Sequence, residues 1–234
     1  LPFVRFVQLS AGTARPLIHD TQIHVFLATA FGVVSLIALA NVIRTEDVTE
    51  PAFRTALFNS VSLMTGTGYA NADYMQWGGF AVAVLFFTGL IGGCAGSTAC
   101  SIKVFRYQLL FASIRAQLQK TRSPHGIFTP RYAGRPVGED VLNSVMSFFM
   151  FFVVTLGVLA VALAMTGLDF VTSVSGAATA LANIGPGFGD QIGPAGNFAD
   201  LNDTAKWLLS AGMLIGRLEL MAVYVIFTVG FWRA

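Results

Sequence analysis

Residues 55–72 read TALFNSVSLMTGTGYANA, and a second stretch, residues 170–189, reads FVTSVSGAATALANIGPGFG. Each opens as a plausible helix and breaks near its end, at TGTGYA and at NIGPGFG, where glycine and proline are too dense for a helix to continue. Irregular backbone at membrane depth is tolerated only where it is buried in protein or lines a water-filled cavity. The two stretches therefore read as re-entrant half-helices, each followed by an extended loop. Their surroundings place them in a membrane. Of 234 residues 55% are hydrophobic and 11% charged, where a soluble chain carries about a quarter charged residues.

Stretches of about 20 apolar residues can cross a bilayer as helix. Residues 21–43, 74–102, 141–168 and 207–232 qualify, the last interrupted only by Arg217 and Glu219. The predicted order is span, half-helix, loop, span, written twice. Phe53 precedes Gly68 by 15 residues and Phe170 precedes Gly185 by the same 15, an offset of 117, which an internal repeat accounts for. Start signals agree: Pro51 follows Glu50 in the first half-helix, and Asp169 precedes Phe170 as an N-capping acid in the second.

Residues 103–135 hold Lys103, Arg106, Arg115, Lys120, Arg122, Arg131 and Arg135 and no acid, so the positive-inside rule assigns them to the cytoplasm, with Arg5, Arg15 and Arg233. Glu46, Asp47, Glu50, Asp73, Asp169, Asp190, Asp200 and Asp203 then fall outside. An acidic outer face concentrates cations, although acids also remain outside simply because bases are sorted inward. No block of one sign suggests a nucleic-acid partner. The opening residues lack a charged segment before an apolar run, so no signal peptide is expected. Cys94 and Cys100, six apart, have neither the spacing nor the histidine neighbours of a metal or redox site and read as structural. His19, His24 and His125 are scattered, and Trp77, Trp207 and Trp232 sit at span ends as interfacial anchors.

A half-helix entering from outside points the negative end of its dipole at the membrane centre, where a cation is favoured. The returning loop can aim successive carbonyls at one axis in place of a hydration shell, with glycine supplying the dihedrals. Thr65, Gly66, Thr67 and Gly68 suit that role, as do Asn183, Ile184, Gly185 and Pro186. One TGTGY alone is an ordinary glycine turn; two such loops at one offset favour an ion path. Residues 92–101, GGCAGSTACS, lie late in a run of 29 uncharged residues. Their small side chains permit a helix to unwind, yet Gly89–Gly93 and Gly92–Gly96 also fit the GxxxG pattern of close helix packing.

LFNSVSLMTGTGYANADY, GLIGGCAGSTACSIKVFRYQLLF, ALANIGPGFG and AKWLLSAGMLIGRLELMAVYVIFTVGFWR together resemble the third and fourth repeats of TrkH-type membrane subunits in the Trk/Ktr/HKT superfamily of potassium transporters. The resemblance covers nearly the whole chain. It implies an all-α membrane fold with two parallel M1-P-M2 repeats (span, pore helix and filter loop, span) of a four-repeat, potassium-channel-like pore, with Gly68 and Gly185 as two of four filter glycines. It implies potassium as the transported ion, no covalently bound cofactor, and a multi-pass location in the bacterial inner membrane among lipid. It further implies a homodimer and a cytoplasmic nucleotide-binding regulatory ring.

Laid on that plan, residues 1–20 are a cytoplasmic linker, 21–102 the third repeat, 103–140 a cytoplasmic basic segment and 141–234 the fourth repeat. The missing two repeats are expected in an N-terminal half, with a second copy of the chain as the alternative. By resemblance Gly92, Gly93, Cys94, Ala95, Gly96, Ser97, Thr98, Ala99, Cys100 and Ser101 form an intramembrane gate loop, although relatives often carry glycine where this chain has Cys100. Arg217 is the arginine of the permeation path, an electrostatic barrier beneath the filter; the alternative is that it pairs with an acid on another helix. Lys103 and Arg106, directly after the gate, couple to the regulatory partner, unless the basic segment only satisfies topology.

Three function classes follow: a potassium uptake subunit, a non-conducting regulatory or assembly half-subunit, and an intramembrane enzyme with Ser97 as nucleophile. Apart from His24, at the very start of the first span, no histidine lies within a span to activate the serine, so no enzyme is expected. In relatives, serine in place of a filter glycine relaxes selectivity toward sodium; both positions here are glycine. Sodium symport, proton symport and gated conduction all fit these residues.

Overall fold

In the computed structural model, which describes residues 1–46 and 49–233, the chain is helical apart from one small hairpin. Asp47, counted above among the outer acids, lies outside the described residues. Two short helices, α1 (Phe3–Ser10) and α2 (Arg15–Ile18), occupy the stretch expected as a linker. Next come α3 (Thr21–Thr45), α4 (Glu50–Thr65) and α5 (Gly79–Leu90), the last preceded by a 3-10 turn at Tyr74–Trp77. Then α6 (Val104–Arg122) and the strands β1 (Arg131–Tyr132) and β2 (Arg135–Pro136) lead into α7 (Glu139–Ala164), α8 (Phe170–Ala182), α9 (Asp203–Arg217), α10 (Leu220–Ile226) and α11 (Val229–Arg233). The hairpin was not expected. Ala133 and Gly134 take φ of 48° and 80°, the paired positive angles of a two-residue turn that matches strand twist.

Among the described residues α3 and α7 are long and apolar enough to cross a membrane. Each leads into a shorter helix. With 16 residues in α4 and 13 in α8, these reach only about 24 and 20 Å, short of the ~30 Å of a hydrocarbon core. Local chemistry sets their ends. The Asp169 carboxylate accepts from the N–H groups of Val171 (3.0 Å) and Thr172 (3.2 Å), and Pro51 sits in the first turn of α4. Both close on a left-handed residue, Gly66 at φ 69° and Asn183 at φ 53°.

Two expected spans do not form as single helices over their apolar runs. Residues 74–102 contain only the 12 helical residues of α5, because Asp73 caps the 3-10 turn at Tyr74, Gly78 turns the chain at φ 91°, and the backbone leaves the helix at Ile91. Residues 207–232 are not one span either. α9 begins earlier, at Asp203 behind an Asn202 cap, and bends by 105° into α10, with Glu219 at φ 61° on the corner. The corner falls where two ionised side chains two residues apart, Arg217 and Glu219, each reach a different partner on the chain around residues 98–106.

The second loop is packed into the first unit: Ile184 and Phe188 join Ile37, Leu63, Tyr74 and Leu85 in one apolar cluster. α7, α8 and α9 build another around Leu163, Ala177, Leu181 and Leu209. Lipid tails are as apolar as these side chains, so close approach of small residues decides the packing. A Cβ at Gly212 would lie 2.6 Å from Leu159 Cδ2, and one at Gly216 would collide with the Leu181 carbonyl oxygen.

Candidate functional site

The loops after α4 and α8 meet face to face. A Cβ at Gly68, where φ is 77°, would collide with the Ile184 carbonyl oxygen and lie 3.2 Å from Pro186 Cδ. One at Gly185, where φ is 118°, would come within 3.5 Å of Gly68 Cα, and one at Gly66 within 3.4 Å of the Asn183 oxygen. Gly66 and Gly68 thus stand against Asn183, Ile184, Gly185 and Pro186, while Thr65 and Thr67 line a pocket along α4 with Leu57, Phe58 and Val61; the negative ends of two helix dipoles lie beside the loops.

Side chains of the half-helices fasten the loops. In the second loop Thr179 Oγ1 accepts from Gly185 N (3.0 Å), Ser175 Oγ accepts from Phe188 N (2.9 Å) and donates to Phe188 O (3.0 Å), and Asn183 Nδ2 donates to Met213 O (3.1 Å). In the first, Asn59 donates from Nδ2 to Asn71 Oδ1 (2.6 Å) and accepts from Asn71 N at Oδ1 (3.3 Å), and the Thr65 and Thr67 hydroxyls share a bond of 2.8 Å. Sequence reasoning passed over Asn59, Ser175 and Thr179, although polar residues inside apolar half-helices were a usable signal.

Below lies the loop of residues 91–103. Its two limbs close on each other through Gly92 N to Ile102 O (2.9 Å), Ile102 N to Leu90 O (3.1 Å) and Val104 N to Gly93 O (3.1 Å). A Cβ at Gly92 would collide with the Cys100 oxygen, and Gly96 stands at φ 74°. Neither is helical, so the GxxxG reading of residues 92–96 does not hold; of these glycines only Gly89, within α5, packs as such, against Ile184. Residues from three distant segments hold the tip: Gln22 Oε1 accepts from Ala95 N (2.8 Å), Phe3 N donates to Gly96 O (3.0 Å), and Arg217 donates to Thr98 O (3.3 Å) and Cys100 Sγ (3.1 Å). Among the described residues Arg217 forms no ion pair with an acid, unlike the alternative considered from sequence. Within the loop, Ser97 donates to Cys94 O (2.7 Å), Cys94 is buried, and Ala99 packs near Gly93.

Arg217, Lys103, Arg106 and Glu219 line a cavity of about 200 Å³ together with Ser97–Ser101, Phe148 and Phe152. Lys103 and Arg106, read as contacts for a partner, turn inward to Glu219 at 3.2 and 3.4 Å, and Arg106 lies over the Phe148 ring at 3.8 Å. Burial lowers the pKa of the Arg106 guanidinium, with Glu219 pulling the other way. Trp207 and Trp232 are exposed, as anchors would be, whereas Trp77 packs on Tyr74.

These features define a class: a helical protein in which two apolar helices of membrane-crossing length each lead into a shorter helix, the two short helices ending on apposed glycine loops beside an arginine-held loop. The family pattern TrkH, described as a cation transport protein, matches residues 13–231, and the chain belongs to that family. It is 44% identical over 236 residues to the Trk system potassium uptake protein TrkI of Halomonas elongata, covering 100% of this chain and 47% of that protein. It is 32% identical to the Trk system potassium uptake protein TrkG of Escherichia coli over 98% of this chain and 47% of that one. The crystal structure of the potassium transporter TrkH from Vibrio parahaemolyticus superposes with a TM-score of 0.90 at 30% identity, over 99% of this chain and 50% of that chain. The chain spans about half the length of the relatives it matches.

Proposed function

We propose that this chain forms half of a potassium uptake pore. Residues 21–102 and 141–234 are two M1-P-M2 repeats, and residues 1–20 and 103–140 lie on the cytoplasmic side of the bacterial inner membrane. The observation that carries the reading is the apposition of Gly68 with Ile184 and Gly185 at the ends of α4 and α8. Carbonyls of both loops replace water around a dehydrated potassium ion on one side of an axis. The rest of the ring comes from two further repeats, in the same polypeptide or in a second copy. Relatives named for potassium uptake support the choice of ion.

Beneath this filter, residues 92–101 act as the gate, and Arg217 holds the gate while its charge slows ion exit. The Glu219 pairs of Lys103 and Arg106 carry movements of a cytoplasmic regulatory ring, bound to a homodimer, to the gate. Transport, not catalysis, is the activity.

Rubidium uptake in potassium-uptake-deficient bacteria tests this with the chain alone, the whole gene product that carries it, and that product with Gly185→Ser. Uptake by the whole product, with discrimination against sodium lost in the variant, is the expected result. Absence of uptake from both forms while they are present in the membrane favours the second reading, a non-conducting half-subunit, which rests on the half ring. Arg217→Ala is expected to raise flux; a fall in protein abundance with no rise in flux per molecule overturns the barrier role.

A further inference from the structure

Ser101 is the only residue of the lower loop, among the described ones, whose side chain is bonded to the end of a half-helix. Its hydroxyl lies 3.0 Å from the Gly89 oxygen and 3.1 Å from the Ala182 oxygen. Both carbonyls belong to the last turn of a helix, α5 and α8, where partners within the helix run out. A hydroxyl carries one proton, so Ser101 serves these two acceptors alternately or shares the proton between them. Ala182 directly precedes Asn183, the first of the second-loop residues assigned to the filter.

Two further observations converge on this point. Ser101 sits at φ 56°, a left-handed conformation that disfavours a residue with a Cβ. Such strain persists where surroundings over-determine it, and here the adjoining Ile102 is held on both sides, by Leu90 O and Gly92 N. Beside this point α5 also touches the second loop directly, because the Ile184 side chain fills the space that a Cβ on Gly89 would occupy, 2.6 Å from Ile184 Cδ1.

We propose that Ser101 is a positioning residue for ion discrimination: through its bond to the Ala182 carbonyl, the lower loop sets where the carbonyls of Asn183, Ile184 and Gly185 stand. The loop that opens the path thereby also tunes which ion passes. This rests on the filter reading above.

The test measures the ratio of rubidium to sodium uptake in the whole gene product carrying this chain, for Ser101→Ala, Ser101→Gly, Ser101→Thr and Gly185→Ser. A ratio does not depend on how much protein reaches the membrane. Ser101→Ala and Ser101→Gly are each expected to lower it about fivefold, the factor equivalent to ~1 kcal/mol for one hydrogen bond. Ser101→Thr, which keeps the hydroxyl, is expected to stay nearer the parent. Glycine adopts φ 56° without strain, so it reports on the hydroxyl even where the alanine variant fails to assemble. Parent-like ratios in the alanine and glycine variants, with a reduced ratio in Gly185→Ser, overturn the tie and leave the filter. A lowered ratio in alanine but not in glycine assigns the effect to backbone strain and also overturns it. An unchanged ratio in Gly185→Ser overturns the filter reading and this proposal with it.

Discussion

The two half-helices follow one backbone plan and hold their loops by different means. Ser62 and Thr179 are equivalent at the offset of 117, as are Asn71 and Phe188. Thr179 Oγ1 accepts from Gly185 N, while Ser62 Oγ is buried without a hydrogen-bond partner and Gly68 N reaches only the Ser62 carbonyl, at 3.4 Å. Phe188 N is caught by Ser175, and Asn71 N by Asn59, one position further along its helix than the equivalent of Ser175. The difference follows the neighbours. α8 is enclosed by α7, α9 and α5 and buries Ser173 through Ala182 almost throughout, with only Val174 half-buried. α4 packs on α3 and α5 and leaves Phe53, Leu57, Phe58 and Val61 exposed beside Thr65, Thr67 and Tyr69. An enclosed half-helix keeps water and lipid away from the hydroxyls it dedicates to its loop.

The largest expected effect breaks the second unit alone. Gly216→Ala drives a methyl into the Leu181 backbone and forces α9 off α8, so thermal unfolding of the purified protein in detergent should show a loss of about 3 kcal/mol. An unchanged midpoint would mean that this contact does not hold the unit together. Gly68→Ala should follow at about 2 kcal/mol, combining a left-handed φ with a collision at Ile184, whereas Gly66→Ala, with its nearest neighbour at 3.4 Å, should cost about 1 kcal/mol. Equal losses at the two glycines would argue against close apposition at Gly68.

The equivalent pair gives the sharpest contrast. Thr179→Val removes the acceptor of Gly185 N and should destabilise by about 1–2 kcal/mol, while Ser62→Ala removes an unpartnered hydroxyl and should be neutral or stabilising by up to ~1 kcal/mol. The same sign at both positions would erase the asymmetry. Smallest is Arg54→Ala, which breaks an exposed pair with Glu50 on α4 and should shift stability by no more than about 0.5 kcal/mol.

The half-helices were readable because their signals are local: Asp169 and Pro51 at the starts, glycine and asparagine at the ends, and apolar residues between. Gly68 and Gly185 were readable through the repeat. The bend between α9 and α10 was not, since Arg217 and Glu219 stand in an otherwise apolar run whose partners lie 113 to 119 residues away. Nor was the late start of α5. Its uncharged run opens at Tyr74, but Asp73 caps a 3-10 turn there and Gly78 turns the chain before the helix begins at Gly79.

By itself the sequence determined a membrane fold, two half-helices with glycine loops and the place of the lower loop, because composition, capping and backbone freedom act within a few residues. Tertiary structure alone decided that the two loops face each other, that Arg217 holds Thr98 and Cys100, that Glu219 gathers Lys103 and Arg106, and that Ser101 reaches Ala182. The loop apposition is a close backbone approach, and each of the others is a polar contact between segments far apart in the chain. In an apolar medium such groups must be satisfied somewhere within the protein, but only the packing of the helices determines where.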